Sequence, residues 1–297
     1  MQPIDPARNP DGSPNLDLSP NIFNPLYIQE HDITRKRSYR VLNNTSIDVK
    51  LMDNFSFKTN FAIDYILTEQ KNYNNPYYGD GEDVQGSVND IDNRNFNYVW
   101  RNTLNYIWDL NEENNFDFSL ISETQRNYHN TLDAYGEGMA AAGLPNLSTT
   151  AVPQDAWSIT EDWAVQSFTG LVNYSYNNKL YVDASLRYEG NSRFADEERW
   201  GAFWSLGVGY ILSEEEFLQS ADWLSFLKLR ASYGKTGNAN IGLNEYQALV
   251  GFGSYNDKPN IQPTQLGNLG LTWEKASSYE AGVEFAFIDN RIDGSAT

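Results

Sequence analysis

The chain has no cysteine and only two histidines, and its 21 Lys and Arg are outnumbered by 40 Asp and Glu. Without thiols there is no disulfide framework and no thiolate metal site. A formal charge of −19 argues against nucleic acid as a partner, since a phosphate backbone needs a basic surface. No run approaches the roughly 18 apolar residues of a membrane-spanning helix, and the polar Gln2–Pro10 segment after Met1 has no signal-peptide core. Helical periodicity is nearly absent as well. What the chain has in quantity is aromatic: 19 Tyr, 15 Phe and 8 Trp in a sequence otherwise rich in polar residues. A soluble core leans on Leu, Ile and Val, whereas abundant Tyr and Trp suit a membrane–water boundary.

Alternation of period two recurs from about residue 38 onward. Phe55, Phe57, Thr59, Phe61, Ile63 and Tyr65 interleave with Ser56, Lys58, Asn60, Ala62 and Asp64. Phe168, Val172, Tyr174 and Tyr176 precede Asn177-Asn178-Lys179, and Leu180, Val182, Ala184, Leu186 and Tyr188 follow it, alternating with polar neighbours. Such a pair of runs about a short polar turn predicts a β-hairpin. The pattern predicts ten strands, at about 38–51, 54–66, 97–108, 115–126, 164–176, 180–188, 202–212, 224–234, 277–287 and 291–297. The connections sort by length. Those near 52–53, 109–114, 177–179, 212–223 and 289–290 are short, while 67–96, 127–163, 189–201 and 235–276 are long. Tight turns on one side and long loops on the other describe an outer-membrane barrel. The fold class expected is therefore all-β, a partial antiparallel transmembrane β-barrel. One helix is predicted, opened by a capping box with Ser213 as N-cap and Glu216 at N3. Asn102, on the apolar face of its strand, is a polar group at membrane depth with no evident reason.

A series of ordered motifs adds a family resemblance. Arg187-Tyr188-Glu189-Gly190-Asn191-Ser192-Arg193-Phe194 resembles an Arg-x-Asp-Gly-Ser-Ser-Arg-Phe signature, and Arg199-Trp200-Gly201-Ala202-Phe203-Trp204-Ser205 resembles the Arg-Trp-Gly-x-Phe-Pro-Ser that follows it. Ser213–Phe217, Leu227–Gly234, Thr236-Gly237-Asn238 and Gly267–Glu274 continue in the same order. The departures are Glu189 for Asp, Asn191 for Ser and Trp204 for Pro. Together these are similar to the SusC/RagA-type TonB-dependent outer-membrane transporters of Bacteroidetes. The resemblance implies a middle portion of a barrel of about 22 strands, with residues 1–37 as an extracellular loop segment and 38–297 as barrel wall. The plug domain, TonB box and closing strands lie outside it. It further implies uptake of an oligosaccharide, or a peptide, beneath a SusD-like surface lipoprotein, driven by a TonB complex acting on the plug, in contact with outer-membrane lipid. Neither catalysis nor a cofactor follows from it.

Chemistry-bearing constellations are correspondingly thin. Asp196-Glu197-Glu198 has adjacent carboxylates rather than a pair facing each other across a sugar cleft. Ser192, His31 and His129 have no triad context. Asp80-Gly81-Glu82-Asp83 with Asp90 and Asp92 lacks the spacing of a calcium loop. No catalytic or metal residues are expected. The best ligand candidates are loop aromatics whose faces stack on sugar rings: Tyr73, Tyr77, Tyr78, Tyr135, Trp157 and Trp163. Wall charges such as Lys58, Arg101, Asp117, Asp183, Arg187, Lys228, Arg230, Glu280 and Glu284 are expected to pair along the lumen or against the plug. The alternative is a secreted, soluble β-rich carbohydrate-binding or adhesin module, in which the apolar faces would close into a compact core.

Overall fold

The computed structural model describes residues 6–18, 22–256 and 258–297. A short helix, α1 (Pro25–His31), leads into twelve strands. These are β1 (Ile33–Met52), β2 (Phe55–Asn74), β3 (Ser87–Asp109), β4 (Asn114–Met139), β5 (Thr150–Tyr176), β6 (Leu180–Asn191), β7 (Trp200–Ile211), β8 (Leu224–Asn238), β9 (Leu249–Tyr255), β10 (Lys258–Gln265), β11 (Glu274–Phe287) and β12 (Ile292–Ala296). Ten form one sheet in the order β1-β2-β3-β4-β5-β6-β7-β8-β11-β12, and β9 with β10 forms a separate ribbon. The large sheet is the ten-stranded antiparallel meander expected, and its order leaves β1 and β12 as open edges.

The register shows how alternation builds two unlike faces. One row of directly paired residues reads Tyr174, Val182, Val208, Ala231 and Ala281, and the adjacent row reads Asn173, Asp183, Gly207, Ser232 and Glu280. Successive side chains of a strand point to opposite faces. Every apolar residue of the first row therefore shares one face, and every polar residue of the second shares the other. The apolar face is bare: Leu186 is 57% exposed, and Leu206, Val208, Leu229 and Tyr233 are exposed too. A soluble sandwich would bury these groups, so this face excludes the soluble alternative. Aromatic side chains bracket the apolar rows. Phe168, Tyr188, Trp204 and Tyr233 lie toward the long connections, and Tyr174, Tyr176 and Tyr210 toward the short ones.

The β5–β6 turn follows from its sequence. Asn177 and Asn178 have φ of 52° and 55°, and Lys179 N–H donates to the Tyr176 carbonyl at 2.9 Å. Two consecutive left-handed residues make the turn whose twist matches the flanking strands, and Asn tolerates that conformation.

Three expectations are corrected. Segments 67–96 and 127–163 are not mainly loop, because β2 to β5 run on for 20, 23, 26 and 27 residues and leave connections only at 75–86 and 140–149. A tilted strand crosses the hydrocarbon in about 9–11 residues, and beyond it nothing enforces apolar alternation. The excursion between β8 and β11 holds the β9–β10 ribbon. The helix at Ser213 is instead a 3-10 turn, Leu212–Glu214. Ser213 Oγ makes no hydrogen bond, while Glu215 accepts from Tyr210 Oη at 2.5 Å and pairs with Lys179 at 3.5 Å. That hydroxyl holds the Glu215 carboxyl below its ordinary value. Tertiary partners outcompete the local cap.

The helix that does form, α1, has Asn24 as N-cap, accepting from Leu26 N–H at 2.9 Å, and Pro25 at its first position. Of the segment 1–37, residues 1–5 and 19–21 lie outside the described residues, and β1 begins at Ile33. The chain divides into two compact units. Unit 1 comprises Met1–Asn43, Ile63–Asn97 and Asn127–Asp162, and unit 2 comprises Asn44–Ala62, Tyr98–Arg126 and Trp163–Thr297.

The two faces make opposite predictions for neighbouring residues. In the full-length protein, Val182→Arg should lose about 2–4 kcal/mol of stability in the membrane. It should visibly lower the amount of heat-modifiable protein on gels of outer membranes, while Asp183→Asn leaves that amount nearly unchanged. Reversed effects would place the strand register one residue off.

Candidate functional site

On the polar face of unit 2 the charges pair among themselves. Arg101 Nε donates to Glu123 at 2.6 Å, and Arg187 lies between Glu123, at 3.8 Å, and Glu189. Arg230 meets Glu280 at 3.1 Å and Glu284 at 3.5 Å, and Lys58 meets Asp48 at 3.4 Å. Lys228 places its ammonium 5.4 Å from the centre of the Tyr181 ring. Asp117 and Asp183 make no ion pair among the described residues. Each exposed pair contributes about 0–1 kcal/mol, so the ladder matters less for stability than for presenting a polar wall of paired charges.

The ordered motifs converge at the β6–β7 connection of unit 2, and they converge as architecture. Phe194, Phe203 and Trp273 form a buried aromatic cluster, with ring centres 5.1 Å apart for both Phe194–Trp273 and Phe203–Trp273. Ala239 and Ile241 pack against it. Trp273 Nε1 donates to the Arg199 carbonyl at 3.0 Å, and Arg193 donates to the Ile241 carbonyl at 3.2 Å while lying 5.0 Å from the Trp163 ring. Both ends of the long β8–β11 excursion are thus pinned to one knot. Ser192, set beside no base, exchanges hydrogen bonds with Ala164: its N–H donates to the carbonyl at 2.9 Å and its Oγ accepts from Ala164 N–H at 2.8 Å. Asp196 pairs with Arg199 at 2.5 Å. The glycines of these motifs give the rings room. A Cβ on Gly237 would lie 2.1 Å from the Phe203 ring, and one on Gly190 would lie 2.8 Å from Trp200, which stacks on Tyr188.

In unit 1 the predicted ligand aromatics separate by burial. Tyr73 is 1% exposed, packed with Val88 and Met139, and its hydroxyl accepts from Gly143 N–H at 2.9 Å. Tyr78 is buried edge-on against Phe23 and Tyr27, and its hydroxyl accepts from Asn24 N–H at 2.7 Å. Both rings are packing elements with no free face. Tyr77, beside Tyr78 in sequence, is 65% exposed, and Trp157 on β5 is 46% exposed. Tyr135 is half-buried and donates to Glu137 at 2.8 Å, which also accepts from Gln154 at 2.5 Å. Trp163, in unit 2, is occupied by Arg193. At the end of α1, Asp32 accepts from Asn75 N–H at 2.8 Å, and burial nonetheless raises its carboxyl above the ordinary value. Of the acids considered for calcium, Asp90 pairs with Lys71 at 3.0 Å and Asp92 with Arg94 at 3.8 Å. Reading by sequence missed the anchoring role of Asn24, whose side-chain amide donates to the carbonyls of Ala7 and Asn15 at 2.8 Å each. The signal was present, since Asn before Pro marks a helix start.

Residues 4–297 match the family described as TonB dependent receptor-like, beta-barrel. The chain belongs to this family. It is 30% identical to the TonB-dependent receptor SusC of Bacteroides thetaiotaomicron over 91% of its own length and 28% of that protein's. It is also 30% identical to the TonB-dependent receptor P39 of Formosa agariphila, over 92% of its length and 26% of the relative's. Among solved structures it is similar in fold to the RagAB peptide transporter, with a TM-score of 0.83 at 23% identity, covering 96% of this chain and 33% of that one. It spans between a quarter and a third of the length of these relatives. As a SusC/RagA-type TonB-dependent receptor barrel of the outer membrane, it turns its apolar face to lipid and the face that carries the charge ladder to the lumen.

The knot has a direct test. Gly237→Ala drives a methyl into the Phe203 ring, overpacking that costs about 1–3 kcal/mol. In the full-length receptor it should lower the temperature at which the folded band is lost on gels, and adding Phe203→Leu should restore part of the loss. An unchanged transition in the single variant would show that Gly237 is not pressed against the ring.

Proposed function

We propose that this chain supplies wall and loops to a TonB-dependent importer that takes up oligosaccharides, with peptides as the second substrate class, beneath a SusD-like surface lipoprotein. The observation that carries the reading is the two-faced sheet: a bare apolar face, and a polar face whose arginines are paired with carboxylates. A wall of that kind gives a translocating ligand no strong fixed charge to stick to. The choice of glycan follows from the family resemblance carried by the ordered motifs, and the fold shared with the RagAB peptide transporter keeps peptide as the runner-up. Coupling to a TonB complex would act through the plug that such barrels enclose, and the lumenal charge ladder is the surface on which that plug would dock. No covalent step is involved. Tyr77 and Trp157 are the aromatics with accessible faces for sugar stacking, and Tyr135, held by Glu137, would offer an edge. Tyr73, Tyr78 and Trp163 would act indirectly, by holding the loops that carry the others.

Two measurements on the full-length receptor test this. An epitope inserted at Gly143 should be labelled on whole cells, and one between Asn177 and Asn178 should not; the opposite result inverts the orientation. Trp157→Ala and Tyr77→Ala should each lower uptake of a fluorescent oligosaccharide several-fold, with the amount of folded barrel unchanged. Loss of peptide uptake with oligosaccharide uptake intact would reverse the substrate assignment.

A further inference from the structure

We propose that the lipid-facing side of unit 1 carries a site for the phosphate groups of a phosphorylated glycolipid in the outer leaflet, centred on Arg35 and Arg37. The inference rests on the outer-membrane placement of the family and on the long connections facing outward; it does not depend on what is transported. In β1 the odd positions Val41 and Tyr39 are apolar and exposed, and Arg37 and Arg35 continue the same face toward the 75–86 connection. The neighbouring strands change character at the same step. On β2, Tyr65 and Leu67 give way to Glu69 and Lys71, and on β3, reading back, Phe96 gives way to Arg94, Asp92 and Asp90. The Tyr65 and Phe96 rings lie 6.4 Å apart, and Lys71 bonds to Asp90 across the same two strands. An abrupt passage from aromatic to charged side chains on the lipid-facing parity marks the level of the headgroups.

At that level Arg35, Arg37, Glu69, Lys71, Asp90 and Asp92 line a hollow of about 260 Å³. Lys71 is committed to Asp90 and to the Pro145 carbonyl, at 2.7 Å, and Arg94 to Asp92. Arg35 and Arg37 make no ion pair among the described residues, although Glu69 shares the hollow. Three cations (Arg35, Arg37 and Lys71) and three carboxylates (Glu69, Asp90 and Asp92) line the hollow, in a chain whose formal charge is −19. The hollow is charge-balanced where the chain as a whole is acidic, and two of its three cations, Arg35 and Arg37, are uncommitted at the level where headgroups meet the wall. Residues two apart on a strand lie roughly 6–7 Å from each other on one face. Two guanidinium forks at that spacing can each take phosphate oxygens in pairs.

The full-length receptor, purified and titrated with micelles of phosphorylated lipid A, tests the site. Arg35→Gln with Arg37→Gln should weaken binding roughly tenfold or more, since each basic side chain near an anionic surface contributes measurably. Lys36→Gln, on the opposite parity, should bind as the unaltered protein does. Dephosphorylated lipid A should not distinguish the unaltered protein from the double variant, and millimolar inorganic phosphate should not displace the lipid. Equal binding by the double variant and the unaltered protein, both heat-modifiable, overturns the proposal, as does full displacement by inorganic phosphate, which would mark a free-anion site. If the double variant does not fold, the single variants R35Q and R37Q carry the comparison, each with a several-fold loss expected. Lost lipid binding with uptake intact would leave the transport reading standing, and the reverse result would separate the two the other way.

Discussion

Everything in this chain follows from one constraint: within a bilayer there is no water to satisfy a backbone N–H or C=O, so each must find a partner in the wall itself. A β-ladder meets that demand only by aligning strands in a fixed register, and the ladder imposes a side-chain period of two. The period then sorts residues between lipid and lumen without further instruction. A slip of one residue in β6 would send Asp183 and Arg187 into hydrocarbon and Val182 and Leu186 into the lumen. The register is therefore held by the summed cost of many misplaced side chains, not by any single contact.

The same constraint explains an exception. Asn102 sits on the apolar parity of β3, where an unpaired amide would be expensive. It accepts from Thr59 Oγ1 at 2.8 Å, and Thr59 in turn accepts from Trp100 Nε1 at 3.0 Å. Three polar groups that would each be a liability alone satisfy one another along the wall. The relay shows that the rule governs polar satisfaction and not residue type, so a polar residue on this face is tolerable where the neighbouring strand offers a complement.

Legibility in the sequence tracks where the bilayer acts. The strands that became unit 2's wall were readable because lipid enforces alternation there, as in Phe168–Tyr188. The extensions of β2 to β5 were unreadable for the converse reason. Stretches such as Thr150–Asp162 face water on both sides, so no period is imposed, and polar strand and polar loop look alike. The β9–β10 ribbon escaped notice on the same grounds. The capping box at Ser213 misled because it is a local signal, and Glu215 had stronger partners in Tyr210 and Lys179. Of the aromatics chosen as ligand contacts, sequence gave their location in the loop-bearing regions but not their burial. Tyr73 and Tyr77 are the same residue type a few positions apart, and only packing tells a core ring from an exposed one.

That distinction bears on how such a barrel stays folded while its ligand surface varies. A lipid-facing sheet has little core of its own: among the described residues, most of the buried apolar side chains collect in two small clusters, Tyr73–Val88–Met139 in unit 1 and Phe194–Phe203–Trp273 in unit 2. Both clusters lie where connections leave the wall, and the second is assembled from the very motifs that carry the family resemblance. Those motifs are therefore best understood as clamps. Phe194 and Trp273, with Gly201 and Gly237 making room for the Phe203 ring, fix the two ends of a long excursion. The residues between, with the β9–β10 ribbon, lie outside both buried clusters. A loop clamped at its base can change sequence along its span without unfolding the strands that bear it. The positions that identify the family are in this way a different set from those, such as Tyr77 and Trp157, whose rings remain exposed.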